Sequence, residues 1–405
     1  MKVQLCTRTS AAIMLTAFLA LTSVAQIGSP GQRATSPEVD TAGRVTFRIL
    51  APQAQGVRLG TPDIPDSGQG VTMKPATNGT FTVLEAAMTR TTNGLWEVNL
   101  GSIAPGAYRY NFNVDGVMVT DPLNPATSES NDRTWSLAYI PGADFMALRD
   151  VPHGAVAVVA YHSKSLQRFR RMHVYTPPGY ENGKGRFPVL YLLHGMGDCD
   201  ASWASVGRAG FIMDNLIAAQ KAKPMIVVMP AGHTGSTEAS LRTQGLAGLG
   251  DDEFIKDFQE DIMPYVEHHY RVRADRQDRA IAGLSMGGRQ ALEIGIPHLD
   301  QFAYLGVFSS GAYRLADPGS KVVVLYNPAF EEQNQTSLDN PKLKQGLKRV
   351  WFATGRDDFL LDTSRATVAM FKQHDFNVVF EETSGAHSWI NWRMYLNAFA
   401  PQLFQ

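Results

Sequence analysis

Two spacings of apolar residues divide the chain. From residue 41 to about 140, apolar and polar positions alternate over short runs. In "GRVTFRILAP", Val45, Phe47 and Ile49 fall on one face. "GVRLG", "GTFTVLEA", "GLWEVNLG", "GAYRYNFNVDG" and "VMVTDP" follow, separated by turn residues. A period of two with frequent turns predicts half-buried antiparallel strands, and so a small all-β sandwich of the immunoglobulin-like kind. Residues 141–153 contain Pro and Gly and read as a linker.

From residue 154 to 405 the pattern changes. "AVAVVAYHS" and "RMHVYTP" predict an opening hairpin, and "FPVLYLLHG" and "PMIVVMPAG" are near-continuous apolar runs. Such runs suit strands buried on both faces. "DRAIAGLS", "AYLGVFSSG", "RVWFATG" and "NVVFEETSG" extend the series. Helical spacings lie between them, as in "DEFIKDFQEDIMPYVEHHY", where Phe254, Phe258, Ile262 and Val266 recur on one face. Alternating strands and helices predict a mostly parallel sheet with helices on both faces.

The first residues stand outside this scheme. Lys2 and Arg8 precede the apolar run "AAIMLTAFLALTSVA", which closes on Ser23-Val24-Ala25. Residues 1–25 are therefore expected to be an export signal cleaved after Ala25, and 26–40 a flexible Gly/Ser/Pro/Thr-rich leader. Cleavage removes Lys2 and Arg8 and takes the formal charge from -1 to -3. It also removes Cys6, so Cys199 has no partner for an internal disulfide. Hydrophobic residues are 44% and charged residues 19%, with no basic run. Nothing in that composition favours nucleic acid or an anionic membrane surface as a partner, so neither is expected, and it says nothing about oligomeric state.

Candidate chemistry centres on "RAIAGLSMGGRQAL". Gly283-Leu284-Ser285-Met286-Gly287 matches G-x-S-x-G at a strand-to-helix corner, where the turn is so sharp that only small neighbours fit. The corner lifts the Ser285 hydroxyl above the sheet and aims a helix N-terminus at it. A serine needs a general base held by an acid, and here the chain order is Ser, acid, His. Three histidines follow Ser285. His298 ends the next helix, and His374 is late on a later one. His387 in "SGAHSW" follows a strand end, where sites in such sheets form, and is the expected base. The acid is Asp357 or Asp358 after "WFATG", with Asp358 preferred. The backbone N–H groups of Met196, in "YLLHGMGD", and of Met286 are the expected oxyanion donors. His194 is read as structural. An aromatic acyl group needs a flat apolar slot, and Trp203, Phe211 and Trp389 are candidates for it; Trp392 is read as core. No histidine or acidic cluster has metal-ligand spacing, so no metal or cofactor is expected.

Residues 154–400 resemble carbohydrate esterase family 1, the feruloyl and acetylxylan esterases of the esterase D-like α/β-hydrolases. The resemblance rests on "VYTPPGY", "FPVLYLLHGMGD", "GLSMGGRQAL", "ATGRDDFL" and "SGAHSWINW". It implies an α/β-hydrolase fold with Ser285 as nucleophile, Asp358 as acid and His387 as base. The N-terminal half is similar to the carbohydrate-binding module of glycogen-branching and isoamylase-type enzymes, through "VTFRILAP", "GLWEVNLG", "GAYRYNFNVDG" and "DPLNP". In it Trp96, Tyr108 and Tyr110 are expected in the core, and Trp135 is a possible exposed platform. Together the resemblances imply a secreted or periplasmic serine esterase that frees hydroxycinnamoyl groups from a polysaccharide such as arabinoxylan. The rivals are an acetyl esterase on the same polymers, an acyltransferase, a siderophore trilactone esterase, and a binding protein that has lost catalysis. If the module only tethers polymer, turnover of a small ester is independent of it.

Overall fold

The computed structural model describes residues 34–65, 74–78, 81–234, 252–315 and 324–405. The expected export signal lies outside them.

Eight strands form the larger sheet: β1 Ala155–Ser163, β2 Arg168–Thr176, β3 Val189–Leu193, β4 Ile226–Pro230, β5 Arg279–Leu284, β6 Tyr304–Phe308, β7 Arg349–Gly355 and β8 Val378–Thr383. Their spatial order is β1-β2-β4-β3-β5-β6-β7-β8. β2 runs antiparallel to both its neighbours, and from β4 to β8 every pairing is parallel. The helices are α1 Ala209–Ala218, α2 Asp252–Asp257, α3 Met263–His269, α4 Met286–Gly295, α5 Pro328–Leu338, α6 Pro341–Gln345, α7 Leu361–Gln373 and α8 Trp389–Phe399. A π-helical stretch, Phe258–Ile262, joins α2 to α3.

The continuous apolar runs have a direct cause. On β3, Val189, Tyr191 and Leu193 enter one core with α3, α4 and α7, while Leu190 and Leu192 enter another with α1 and α8. Both faces of the strand are thus dry, and each aliphatic side chain removed from water contributes about 1.5–3 kcal/mol. Phe254, Phe258, Ile262 and Val266 are all buried in the first of these cores.

The N-terminal part is two sheets around one core. One has the order Glu38–Val39, Arg44–Leu50, Leu95–Ser102, Thr89–Arg90. The other has Thr127–Glu129, Thr134–Ile140, Gly106–Val114, Val57–Thr61, Phe81–Ala87, Lys74–Asn78, with Val117–Val119 beside Gly106–Val114. Val45, Phe47, Ile49, Trp96, Tyr108, Tyr110 and Phe112 meet in its core. Trp135 is buried and is not an exposed platform; Arg133 lies over its ring.

Two expected boundaries shift. The end of the leader is held: Glu38–Val39 pairs with Thr46 and Val45, and buried Ser36 accepts a hydrogen bond from the Arg48 backbone. The segment 141–153 is not a free linker. Asn215 on α1 donates to the carbonyls of Asp144, Phe145 and Ala147, Arg208 donates to that of Met146, and Met146 is buried. His153 then pairs with Asp214 at 2.8 Å. Thr35–Gln405 is one compact unit, in which the sandwich contacts α8 and the segment that follows β3. Ile390 of α8 lies against the sandwich core, and buried Arg393 donates to the carbonyls of both Ala107 and Val206.

Candidate active site

β5 ends at Leu284 and α4 begins at Met286, leaving Ser285 alone to turn the corner. Its φ of 52° and ψ of -117° lie outside the common regions, a strain that persists only where the surroundings enforce it. They do so on several sides. Ser285 N donates to Phe308 O at 2.9 Å, and Ser285 O accepts from Ser310 Oγ at 2.6 Å. A Cβ on Gly283 would sit 2.3 Å from the Gly287 carbonyl, and one on Gly287 would sit 2.6 Å from the His194 carbonyl. The motif glycines are therefore a packing requirement of the corner.

The Ser285 hydroxyl donates to His387 Nε2 at 3.0 Å, and His387 Nδ1 lies 3.0 Å from both oxygens of Asp358. This sets the tautomer, with Nδ1 carrying the proton toward the carboxylate. Asp358 is buried and Asp357 is exposed, its amide spent on Gly385 O. Burial pushes the Asp358 carboxyl up, but the His387 hydrogen bond and charge, the Leu360 N–H and the Ser309 hydroxyl outweigh it and hold it below its ordinary value. The loops bearing acid and base are brought together by close backbone contact, since a Cβ on Gly355 would lie 2.1 Å from the Gly385 carbonyl.

The loop after β3 faces the same point. The Cβ position of Gly195 is 3.5 Å from Ser285 Cβ, so this loop, with Met196 next in it, abuts the nucleophile. His194 is buried; its Nε2 accepts from Gly232 N and its Nδ1 donates to Gly195 O, both at 2.8 Å. His233 donates through Nε2 to Met196 O at 2.5 Å. Burial pushes both imidazoles down to about 4, so they stay neutral and brace the loop. Met286 opens α4 directly after Ser285.

The remaining histidines are placed elsewhere. His374 caps α7 between Asp339 and Glu331, and His298 lies beyond the end of α4. The expected acyl slot is corrected. Trp203 is fully buried, donates to Leu193 O and crosses Trp389 edge-on at 5.0 Å. Trp389 is 2% exposed, so both are core. Phe211 lies under Arg208 and beside His153, apart from the triad. Aromatic side chains do surround His387, but different ones. Phe359 is 59% exposed with its ring 4.4 Å from the imidazole, and Trp392 crosses the imidazole edge-on at 5.0 Å. Trp392 also donates to Ser309 Oγ at 2.9 Å, behind Asp358. Sequence reasoning missed Ser309 and Phe359; the signal available was their place just past the carboxyl ends of β6 and β7. Among the described residues no group of three or more His, Cys, Asp or Glu side chains is placed for a metal ion.

A strained serine above a parallel sheet, hydrogen-bonded to a histidine that is bonded to a buried aspartate, defines a hydrolase of the α/β class. The Esterase family profile matches residues 163–403, and the chain belongs to that family. It is 30% identical over 390 residues to the endo-1,4-beta-xylanase/feruloyl esterase of Xylanibacter ruminicola, covering 94% of this chain and 47% of that protein, so the chain spans about half the relative's length. Among solved structures, a ferulic acid esterase is similar with 31% identity and a TM-score of 0.51, over 62% of this chain and 97% of that one. The enterobactin esterase of Shigella flexneri shares the fold over 92% of this chain and 97% of its own, with a TM-score of 0.60 and 19% identity.

Proposed function

We propose that this esterase hydrolyses hydroxycinnamoyl esters carried on plant polysaccharide, after export directed by residues 1–25. Ser285 attacks the ester carbonyl while His387 Nε2 takes its proton and Asp358 stabilises the imidazolium. The N–H groups of Met196 and Met286 receive the negative charge on the tetrahedral oxygen. His387 returns the proton to the leaving sugar alcohol, and a water activated by the same imidazole frees the acid. The observation that carries the reading is the unbroken chain from Ser285 Oγ through His387 to Asp358, with links of 3.0 Å. Exposed Phe359 beside that imidazole supports an aromatic acyl group, since a flat ring can stack there. The likeness to two esterases named for ferulate supports the same choice.

A second reading is hydrolysis of a catecholate trilactone, favoured by the enterobactin esterase likeness, which extends through the N-terminal sheets. The test is release of free acid from methyl ferulate, an aryl acetate and a catecholate trilactone, compared by kcat/KM. Methyl ferulate is expected to lead. A lead by the trilactone transfers the assignment to the second reading, and a lead by the acetate removes the aromatic acyl preference.

A further inference from the structure

The loop Gly195–Asp198 is held from both sides. From the hydrolase, His194 and His233 bind it, as described. From the sandwich comes Arg109 on the Gly106–Val114 strand. Its Nη1 donates to Asp198 Oδ1 at 2.7 Å, while Nε and Nη2 grip both oxygens of Asp63 at 2.8 and 2.9 Å. All three side chains are buried, at 9, 7 and 6% exposure for Arg109, Asp63 and Asp198. Asp198 N donates in turn to Gly195 O at 3.1 Å, and the Cβ position of Gly195 is 3.4 Å from Asp198 Oδ2 and 3.5 Å from Ser285 Cβ. The Asn131 amide, also from the sandwich, reaches Gly197 O at 3.4 Å.

A buried guanidinium between two buried carboxylates is a costly arrangement for stability alone. Apolar residues of the same volume commonly do as well, whereas unpairing one member leaves a stranded charge. Its value is geometric, because the planar fork fixes both carboxylates at once. Without Arg109, Asp198 must take up a proton or turn toward water, and either change moves the loop that touches the nucleophile. We infer that Arg109 is a positioning residue for ester hydrolysis: through Asp198 it sets the loop that carries the Met196 N–H, so the sandwich is a structural part of the active site. This rests on the oxyanion role given to Met196 above. It also stands against a module that merely tethers polymer.

The test compares full-length Arg109→Met and Asp198→Asn with wild type on methyl ferulate. Affinity for an aryl boronic acid, which forms a tetrahedral adduct on the serine, is measured alongside. Both variants are expected to lose roughly ten- to a hundredfold in kcat with KM within about threefold, and boronate affinity is expected to fall in parallel, because only the tetrahedral species uses the oxyanion donors. The control is Glu97→Gln, which weakens the Arg48–Glu97 ion pair inside the same sandwich. It is expected to keep wild-type kcat. A folded Arg109→Met or Asp198→Asn protein with kcat within twofold of wild type overturns the inference, as does a kcat loss without loss of boronate affinity. Ser285→Ala separates the two levels. If it stays active, the reading of the site has failed. If it is silent while Arg109→Met is unimpaired, only this inference has.

Discussion

At the scale of single residues, the site divides into a reacting set and a supporting set. Ser285→Ala and His387→Ala are each expected to lower kcat on methyl ferulate on the order of a thousandfold or more, with the circular dichroism of the folded protein unchanged. Asp358→Asn is expected to cost at least roughly a hundredfold and Asp357→Asn less than about twofold, since only Asp358 reaches the imidazole. The acid side of the pH profile follows from the same geometry. Asp358 is held below its ordinary value, so it stays ionised through the mildly acidic range. The fall of kcat/KM toward low pH is therefore expected to have a slope of one, and a slope of two would mean a second group titrates with it. Trp392→Phe keeps the ring against His387 but removes the donor to Ser309. A net loss of about 1 kcal/mol in transition-state stabilisation, or roughly fivefold in kcat, is expected.

At the scale of elements, the corner between β5 and α4 is the tightest feature. A methyl group at Gly283 would penetrate the Gly287 carbonyl, so either the helix or the strand must move. Gly283→Ala is expected to lower stability by about 3 kcal/mol or more, read from the midpoint of urea unfolding, and to abolish turnover as the serine shifts. A second element-level device is His374, which joins the end of α7 to Glu331 on α5 and to Asp339. Burial works against its charged form, but the two carboxylates outweigh that, and its titration lies above the ordinary imidazole value. A group raised in this way contributes its full stabilisation below the unfolded value of about 6.5 and loses it as pH rises through the folded value. The stability gap between wild type and His374→Ala should thus be wider at pH 5.5 than at pH 9.

At the scale of the molecule, the two halves share one structure. Arg393 ties α8 to the Ala107 carbonyl of the sandwich, Ser128 of the sandwich meets Ser205 Oγ at 2.8 Å, and Ser202 donates to Glu129 O. The chain without its sandwich would expose Ile390 and leave Arg393 short of an acceptor. Deletion of residues 26–145 is accordingly expected to lower turnover of methyl ferulate by tenfold or more and to weaken thermal stability, measured on matched amounts of folded protein. Equal turnover in full-length and shortened chains would restore the picture of a detachable tether.

How much of this was readable beforehand depended on the range of the cause. The strands of the larger sheet, the serine corner and the Ser–acid–His order were legible, because each is written in a short window: an apolar run, a glycine spacing, a residue just past a strand end. The sequence by itself also placed Trp96, Tyr108 and Tyr110 in a core, since alternation assigns a face within one strand. It chose Trp389 over Trp392 for the acyl slot, although the two stand three residues apart on one helix. Both are buried, and what separates them is which carries an edge to His387 and a hydrogen bond to Ser309, groups far away in the chain. Trp203 and Phe211 went astray for the same reason, as an aromatic ring looks alike in a window whether it meets a substrate or Leu193 O. The hold of Arg109 on Asp198 spans 89 positions and exists only once the sandwich meets the hydrolase half, so it belonged wholly to the tertiary structure.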